Sequence, residues 1–207
     1  MIERYLTQTH FTSEEDFRDN LHFVVPETFN FAYDVMDEWA KVAPNKLALL
    51  WTSERGEELR ATYAEFKKQT DQAAAYFLSL GIRRGDKVML ILKRHYQWWI
   101  SMMALCKIGA VAIPATHMLT ASDIVYRNQR ASVKAIICVN DEYVTTQVRE
   151  AMSESPTVEV LVAVNSLAQK GCPVAEGFHD WFAEWDKAPA FVRPEEVNVN
   201  EDTMLMY

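Results

Sequence analysis

Several common functional motifs are absent from this chain of 207 residues. Neither of the two glycine-rich phosphate loops occurs, GxGxxG or GxxxxGK followed by Ser or Thr. HExxH and GxSxG are missing as well, which excludes the familiar zinc-protease and hydrolase-elbow signatures. The five histidines are spread widely along the chain: His10, His22, His95, His117 and His179. By motif alone the chain has no recognisable active site, and we predict no catalytic residue and no metal ligand within it.

Cysteine is scarce, with only three residues in unrelated contexts. An odd number without ligand spacing predicts neither a disulfide framework nor a metal site. Cys106 and Cys138 lie in the apolar runs MMALC and AIIC. We therefore expect these two to be buried, reduced thiols.

The chain also lacks long hydrophobic runs and an excess of basic charge. The N-terminus, MIERYLTQTHF, has no apolar core of a secretory signal, and no run approaches the ~18 residues of a transmembrane helix. The net charge is −8 at pH 7 and the basic residues are scattered, which argues against a nucleic-acid partner. These absences predict a chain with no membrane span and no nucleic-acid partner, located in the cytoplasm.

The most informative stretch of the chain runs from Gly81 to Arg127. Lys87 to Leu92 is a nearly continuous apolar run after the turn-forming pair Gly85-Asp86, as a buried parallel strand requires. A helix is predicted from about Tyr96 to Ile108, and a second buried strand from Ala110 to Ile113. This is a strand–helix–strand crossover. The loop after its second strand leaves at a carboxyl edge, where ligands bind in open α/β sheets.

Patterns on both sides of the crossover complete the prediction. Leu47 to Thr62 alternates around a polar turn and predicts a β-hairpin, and Thr62 with Glu65 forms a capping box for a helix reaching Leu80. The elements predicted downstream are a helix from Asp123 to Arg130 capped by Thr120 or Ser122, a strand from Lys134 to Val139, a helix from about Asp141 to Met152, and a strand from Val158 to Val164. This order predicts an α/β fold in which a mainly parallel sheet is flanked by helices, with an additional β-hairpin.

Two more amphipathic helices are predicted near the ends of the chain. Asn30 is placed to cap a helix that would carry four apolar residues on one face: Phe31, Val35, Met36 and Trp39. Four aromatic residues with helical spacing predict a short helix: Phe178, Trp181, Phe182 and Trp185. We expect this second helix to dock onto the core, with partner binding as the alternative.

The chain is predicted to divide near residue 27. Residues 1–27 form an N-terminal arm with a helix from Ser13, and residues 28–207 form a partial domain. Met204 to Tyr207 is apolar and is typical of the start of a strand, yet nothing follows it. An unpaired terminal strand is a poor end for a compact domain. We therefore expect a truncated chain, with a natural C-terminal edge strand as the alternative.

Three ordered segments carry a resemblance to a known family. The first is TYAEF from Thr62 to Phe66, with the LGI and RGDKV that follow its helix, and the second is ALCKIGAVAIP from Ala104 to Pro114. The third is LTASDIVYR from Leu119 to Arg127. Together with FNFA from Phe29 to Ala32 and the pair Trp98-Trp99, they resemble the N-terminal part of the adenylate-forming acyl-CoA synthetases, in the medium-chain branch. The resemblance covers about residues 28 to 207.

The resemblance implies an enzyme whose catalytic equipment lies outside these residues. In the family, Tyr207 would be followed by a Ser/Thr/Gly-rich loop ending in Pro-Lys, which holds the ATP phosphates through backbone N–H groups. The segments for adenine, ribose and Mg²⁺ and a small C-terminal domain with a catalytic lysine also come later. The full-length enzyme would use ATP, Mg²⁺, CoA and a carboxylic acid. The fragment alone is predicted to hold no cofactor and to be inactive, truncated before the phosphate-binding loop.

The loop after the second crossover strand supplies the candidate site residues, which are Thr116, His117 and Met118. In medium-chain relatives this loop approaches the CoA side of the active site, and some have a glutamine where Met118 stands. The alternative is an ordinary surface loop. Trp98-Trp99 with Met102-Met103 are candidates for an acyl pocket, although their helical spacing favours core packing. We interpret Tyr126-Arg127 as structural and Asp141-Glu142 as an acidic helix start.

Two other functions fit the same pattern of strands and helices. One is a non-enzymatic α/β binding or interaction module, for which the reading frame would stop after Tyr207. The other is a flavodoxin-like mononucleotide binder that uses the loop after Pro114.

Overall fold

A parallel sheet of five strands forms the centre of the protein, as seen in a computed structural model that describes residues 2–194. Its strand order is β4-β3-β5-β6-β7. The strands are β3 (Lys87–Ile91), β4 (Val111–Pro114), β5 (Val133–Val139), β6 (Val160–Val164) and β7 (His179–Asp180). An antiparallel hairpin of β1 (Leu47–Thr52) and β2 (Glu58–Thr62) stands apart. The predicted α/β fold with an added hairpin is confirmed, and the strand predicted at Met204 lies outside the described residues.

Helices cover the sheet in two pairs. The α-helices in the described part of the chain are α1 (Glu14–Asn20), α2 (Glu38–Val42), α3 (Tyr63–Ser79), α4 (Gln97–Ile108), α5 (Ala121–Ala131), α6 (Glu142–Ala151) and α7 (Trp181–Glu184). Helix α3 packs against α4, and α5 packs against α6. Crossovers between parallel strands are right-handed, so α4 leaves β3 on one face while α5 and α6 run along the other. None of the helices in the described part of the chain is long and apolar enough to cross a membrane.

The helix starts follow the predicted capping chemistry. Thr62 and Glu65 form a reciprocal capping box at α3, and Thr120 and Asp123 form a second one at α5. Asp141 caps α6 by accepting a hydrogen bond from the Val144 N–H at 3.3 Å. These caps satisfy backbone N–H groups that a helix start leaves without partners, which is why short-range sequence patterns predicted them.

The helix predicted after Asn30 forms with a different buried face. The Asn30 side chain does accept from the Ala32 N–H at 3.0 Å, but the first turns are a π-helix, Ala32–Asp37. Its buried residues are Ala32, Tyr33 and Asp37, whereas Phe31 is 46% exposed. The predicted face was right for Met36, which packs against the core, and wrong for Phe31, because a π-helix closes i→i+5 hydrogen bonds and its wider turn breaks the 3.6-residue period.

The aromatic segment near residue 180 is also arranged differently from the prediction. Phe178 precedes the short strand β7, and the helix begins only at Trp181, because the Asp180 carboxylate accepts from the Phe182 and Ala183 N–H groups at 2.8 and 3.1 Å. The prediction of one helix from residue 178 to residue 185 was therefore wrong. Docking onto the core is confirmed, since Trp181 is buried against Tyr76 and Phe77.

Two of the cysteines are buried, free thiols, as predicted. Cys106 and Cys138 lie in the interior, and Cys172 is exposed. Burial raises the pKa of the Cys106 thiol and raises that of Cys138 to about 12. Both therefore stay protonated and unreactive at neutral pH.

Candidate functional site

A cleft of about 980 Å³ opens at the carboxyl edge of the sheet. Four strand ends contribute to it, with Lys93 to His95 after β3, Ala115 to His117 after β4, Asn140 to Glu142 after β5, and Ser166 after β6. The hairpin turn that joins β1 to β2 forms the remaining wall. Loops at the carboxyl ends of neighbouring parallel strands converge, which is why residues so far apart in sequence meet here.

The cleft lies over the point where the chain changes direction in the sheet. Strand β3 continues through α4 to one side, whereas β5 continues through α6 to the other. Between two such strands the loops separate and leave a crevice. Lys93 and Asp141 face each other across it, with the Lys93 Nζ 3.0 Å from Asp141 Oδ2.

The segment after β3 is unusually shaped and charged. Lys93 has a φ of +48°, in the left-handed region that side chains other than glycine seldom adopt. The hydrogen bond from Lys93 holds the pKa of Asp141 below its ordinary value, so that carboxylate stays ionised at neutral pH. Burial lowers the pKa of His95, and the nearby Lys93 charge lowers it further. A neutral imidazole therefore lies beside a fixed ion pair.

Charges of both signs line the cleft. The cationic side chains are Arg55, Lys93 and Arg94, and the acidic ones are Glu54, Glu57, Asp141 and Glu142. Such a surface suits a polar, charged ligand better than a hydrocarbon chain. Among residues 2–194, no group of three or more His, Cys, Asp or Glu side chains is arranged to hold a metal ion.

The structure separates the three candidate loop residues. Thr116 and His117 line the cleft and are exposed, whereas Met118 is 69% exposed and is not among the lining residues. Thr116 Oγ1 accepts from the Met118 N–H at 3.3 Å, which turns the backbone and directs the chain away toward Thr120. The loop thus offers a hydroxyl and an imidazole to the cleft.

The aromatic and sulfur side chains of α4 lie outside the cleft lining. Trp98, Met102 and Met103 are partly buried and pack against the core, and Trp99 is 39% exposed. The two indole rings meet edge to face at 5.4 Å. Arg127 donates to the Asp123 carbonyl at 3.0 Å, a contact within α5. These placements agree with structural roles for the aromatic and sulfur side chains of α4 and for Arg127.

Sequence reasoning identified only the loop after β4 and missed the other walls of the cleft, which are the segment after β3, the segments after β5 and β6, and the hairpin turn. The first carried a usable signal, because the polar run Lys93-Arg94-His95 follows an apolar strand at the same edge as Thr116. The hairpin turn carried none, since its position over the sheet depends on contacts with residues far along the chain. Trp51 Nε1, for example, donates to the Arg94 carbonyl at 2.6 Å.

Comparison with known proteins gives consistent matches. The family model described as "AMP-binding enzyme" matches residues 36–207. The mitochondrial acyl-coenzyme A synthetase ACSM5 of Mus musculus is 34% identical over 71% of this chain and 26% of its own length. Human mitochondrial ACSM2A is 34% identical over 73% of this chain and 26% of its own length. The chain thus spans about a quarter of the length of these relatives.

A solved structure supports the fold independently. The crystal structure of the anthranilate CoA ligase AuaEII in complex with anthranoyl-AMP matches with a TM-score of 0.71 and 21% identity. The match covers 86% of this chain and 32% of that one. At this identity the likeness is one of fold. The family model, by contrast, accounts for most of the sequence, and the chain belongs to the AMP-binding enzyme family.

Proposed function

We propose that these residues are the N-terminal part of an AMP-forming acyl-CoA synthetase. The whole enzyme would join a carboxylic acid to ATP, releasing pyrophosphate, and the CoA thiol would then displace AMP from the acyl-adenylate. Family membership and the similarity to medium-chain acyl-CoA synthetases support this proposal. The cleft at the carboxyl edge, with Thr116 and His117 in its wall, is the observation that carries it.

The part played by this chain would be binding rather than chemistry. The polar cleft would hold one side of a charged substrate, and the buried sheet would fix the strand ends that surround it. ATP, Mg²⁺ and CoA are the substrates and cofactor of the proposed reaction, and ATP-dependent fatty-acid activation is the proposed role. A cytoplasmic location and a division into an arm of residues 1–27 and a partial domain of 28–207 belong to the same proposal. The names of the relatives place those proteins in mitochondria.

Ligase activity is expected from the full reading frame and not from the 207 residues alone. Both proteins would be assayed for AMP release with ATP, Mg²⁺, CoA and a series of linear carboxylic acids of increasing length, with benzoate added. Acid-dependent AMP release by the longer protein supports the proposal. A stop codon directly after Tyr207 would instead favour a binding module, and ligase activity of the 207-residue chain would refute the predicted inactivity.

The loop after β4 allows a sharper test in the longer, active protein. His117→Ala and Thr116→Val are expected to raise the KM for CoA roughly fivefold with little change in kcat, because each removes one polar contact of about 1 kcal/mol. Met118→Leu is the matched control, since it conserves volume at a position outside the cleft lining. An unchanged KM for CoA in the first two variants would remove the loop from the CoA side of the site.

A further inference from the structure

Two contacts of unequal strength lie on either side of the hairpin turn. Its base is held by Trp51, which is buried, donates from Nε1 to the Arg94 carbonyl at 2.6 Å, and packs edge to face on Tyr96 at 5.5 Å. A buried hydrogen bond combined with an aromatic contact resists opening. The base of the hairpin is therefore a fixed point beside the cleft.

Within the described part of the chain, one exposed hydrogen bond holds the tip of the hairpin. Glu57 Oε1 accepts from the Ala168 N–H at 2.6 Å, on the 3₁₀ turn Leu167–Gln169 that follows β6. This contact joins residues 111 positions apart in sequence. Between the base and the tip the turn forms one wall of the cleft, with Arg55 among its lining residues. Opening the Glu57–Ala168 contact alone would therefore release that wall.

The turn between these two attachments is tightly bonded within itself. The Ser53 N–H donates to the Glu57 carbonyl at 2.9 Å, and the Gly56 N–H donates to the Ser53 carbonyl at 3.1 Å. Ser53 Oγ accepts from the N–H groups of Arg55 and Glu57 at 3.2 and 3.1 Å. Gly56 supplies the positive φ of 79° that closes the turn. A turn with these bonds moves as a unit and does not unravel.

We propose that the turn from Ser53 to Glu57 is a strap that opens and closes the cleft as a unit, and that Glu57 is the positioning residue that latches it. When the latch is closed, Arg55 is held over the cleft and the wall is complete. When it opens, the strap swings from the fixed base at Trp51 and widens the entrance. The proposal rests on these contacts alone, so it stands or falls separately from the proposed ligase function.

The charge on Glu57 determines how firmly the strap is closed. The hydrogen bonds from Ser53 and Ala168 hold its pKa below the ordinary value of 4.5, and the charge of Arg55 favours the same ionised form. Because the folded pKa is lowered, the latch contributes its full stability above the ordinary pKa. The hydrogen bond to Ala168 loses that contribution as the pH falls through the lowered pKa of Glu57 in the folded protein. The strap is therefore closed at neutral pH and released in acid.

Amide hydrogen exchange at Ala168 reports directly on the latch. At pH 7, Glu57→Ala is expected to lower the protection of the Ala168 amide roughly tenfold, and Glu57→Gln about threefold, because an amide oxygen still accepts but carries no charge. In the unmodified chain, protection corrected for the intrinsic exchange rate should fall below pH 4.5, the ordinary value for this carboxyl. In Glu57→Gln it should not vary with pH over that range.

Glu54→Gln is the matched control. Glu54 belongs to the same turn and lines the cleft, and within residues 2–194 its side chain makes no hydrogen bond or ion pair. In this variant the Ala168 amide should remain protected from hydrogen exchange. The Trp51 amide should remain protected in every variant. The proposal is overturned if Glu57→Ala leaves Ala168 protected. It is overturned equally if protection is lost at Trp51 together with Ala168, since the hairpin would then unfold as a whole.

Discussion

Replacing Lys107 by methionine should lower the free energy of unfolding by about 3–5 kcal/mol. The Lys107 side chain is fully buried and donates to Asp37 Oδ1 at 2.8 Å, Thr70 Oγ1 at 2.9 Å and Asp71 Oδ1 at 2.6 Å. Lys67 contacts the other oxygens of both carboxylates, so two cations and two anions alternate in a closed ring. Methionine fills the space but leaves the buried Asp37, among residues 2–194, with only the distant Lys67 at 3.8 Å.

Urea unfolding at pH 7, followed by circular dichroism, measures this loss. Lys67→Met is the control, because its side chain is 38% exposed and water replaces much of what it provides, so a loss of about 1 kcal/mol or less is expected. The double variant Lys107→Met/Asp37→Asn should recover part of the stability, since it removes the uncompensated charge. A loss below 1 kcal/mol for Lys107→Met would show that the ring adds little to stability.

The same variant should respond to pH in a characteristic direction. Burial raises the pKa of Asp37, and Lys107 is the largest influence that lowers it. Without Lys107 the carboxyl has a still higher pKa and takes up a proton more readily on folding. The stability difference between the two proteins should therefore shrink as the pH falls toward and below the pKa of Asp37.

Replacing Trp181 by alanine should cost about 3–5 kcal/mol, the range for a large aromatic residue removed from a core. Trp181 is 1% exposed, and its ring centroid lies 6.0 Å from Tyr76, 5.8 Å from Phe77 and 5.6 Å from Trp185. Its loss leaves a cavity between α7 and α3. The two helices cannot move together to fill this cavity, because hydrogen bonds hold their ends in place. Chemical denaturation monitored by near-ultraviolet circular dichroism measures the effect.

Trp99→Ala is the comparison for the tryptophan variant. Trp99 is 39% exposed and packs mainly on its neighbour Trp98, so its removal should cost less than about 1 kcal/mol. If Trp181→Ala cost no more than Trp99→Ala, the aromatic segment would not be a core element. The alternative of a partner-binding surface would then be favoured.

Local chemistry explains which parts of the fold could be predicted. The crossover from β3 to β4, the hairpin, the capping box at Thr62 and the helix cap at Thr120 each depend on residues a few positions apart, so the pattern of the chain contains them. The π-helix could not be predicted from local sequence, because its wider turn is favoured by contacts made after folding. Tyr33 OH donates to the Lys107 carbonyl at 2.9 Å, and the Asn30 amide donates to the Cys106 carbonyl at 3.0 Å. Both contacts cap the end of α4.

The candidate site was predictable only in part, for a similar reason. The edge of the sheet and the loop at Thr116 follow from the order of strands and helices. The buried ring around Lys107, which lies outside the cleft lining, could not be predicted either, because a lysine near the end of a helix is normally solvated, and its acceptors Asp37 and Asp71 lie 70 and 36 positions away. The hairpin wall of the cleft depends likewise on Glu57 reaching Ala168.

The position of β3, inside the sheet and next to the edge strand β4, affects how the sheet can be assembled during synthesis. It is the first of the five parallel strands along the chain, and its neighbours on both sides come later in sequence. As the chain leaves the ribosome, β4 can add to one edge, and β5, β6 and β7 can then add in turn to the other. Every new strand meets an existing edge, so the sheet can grow outward without any paired strands having to separate.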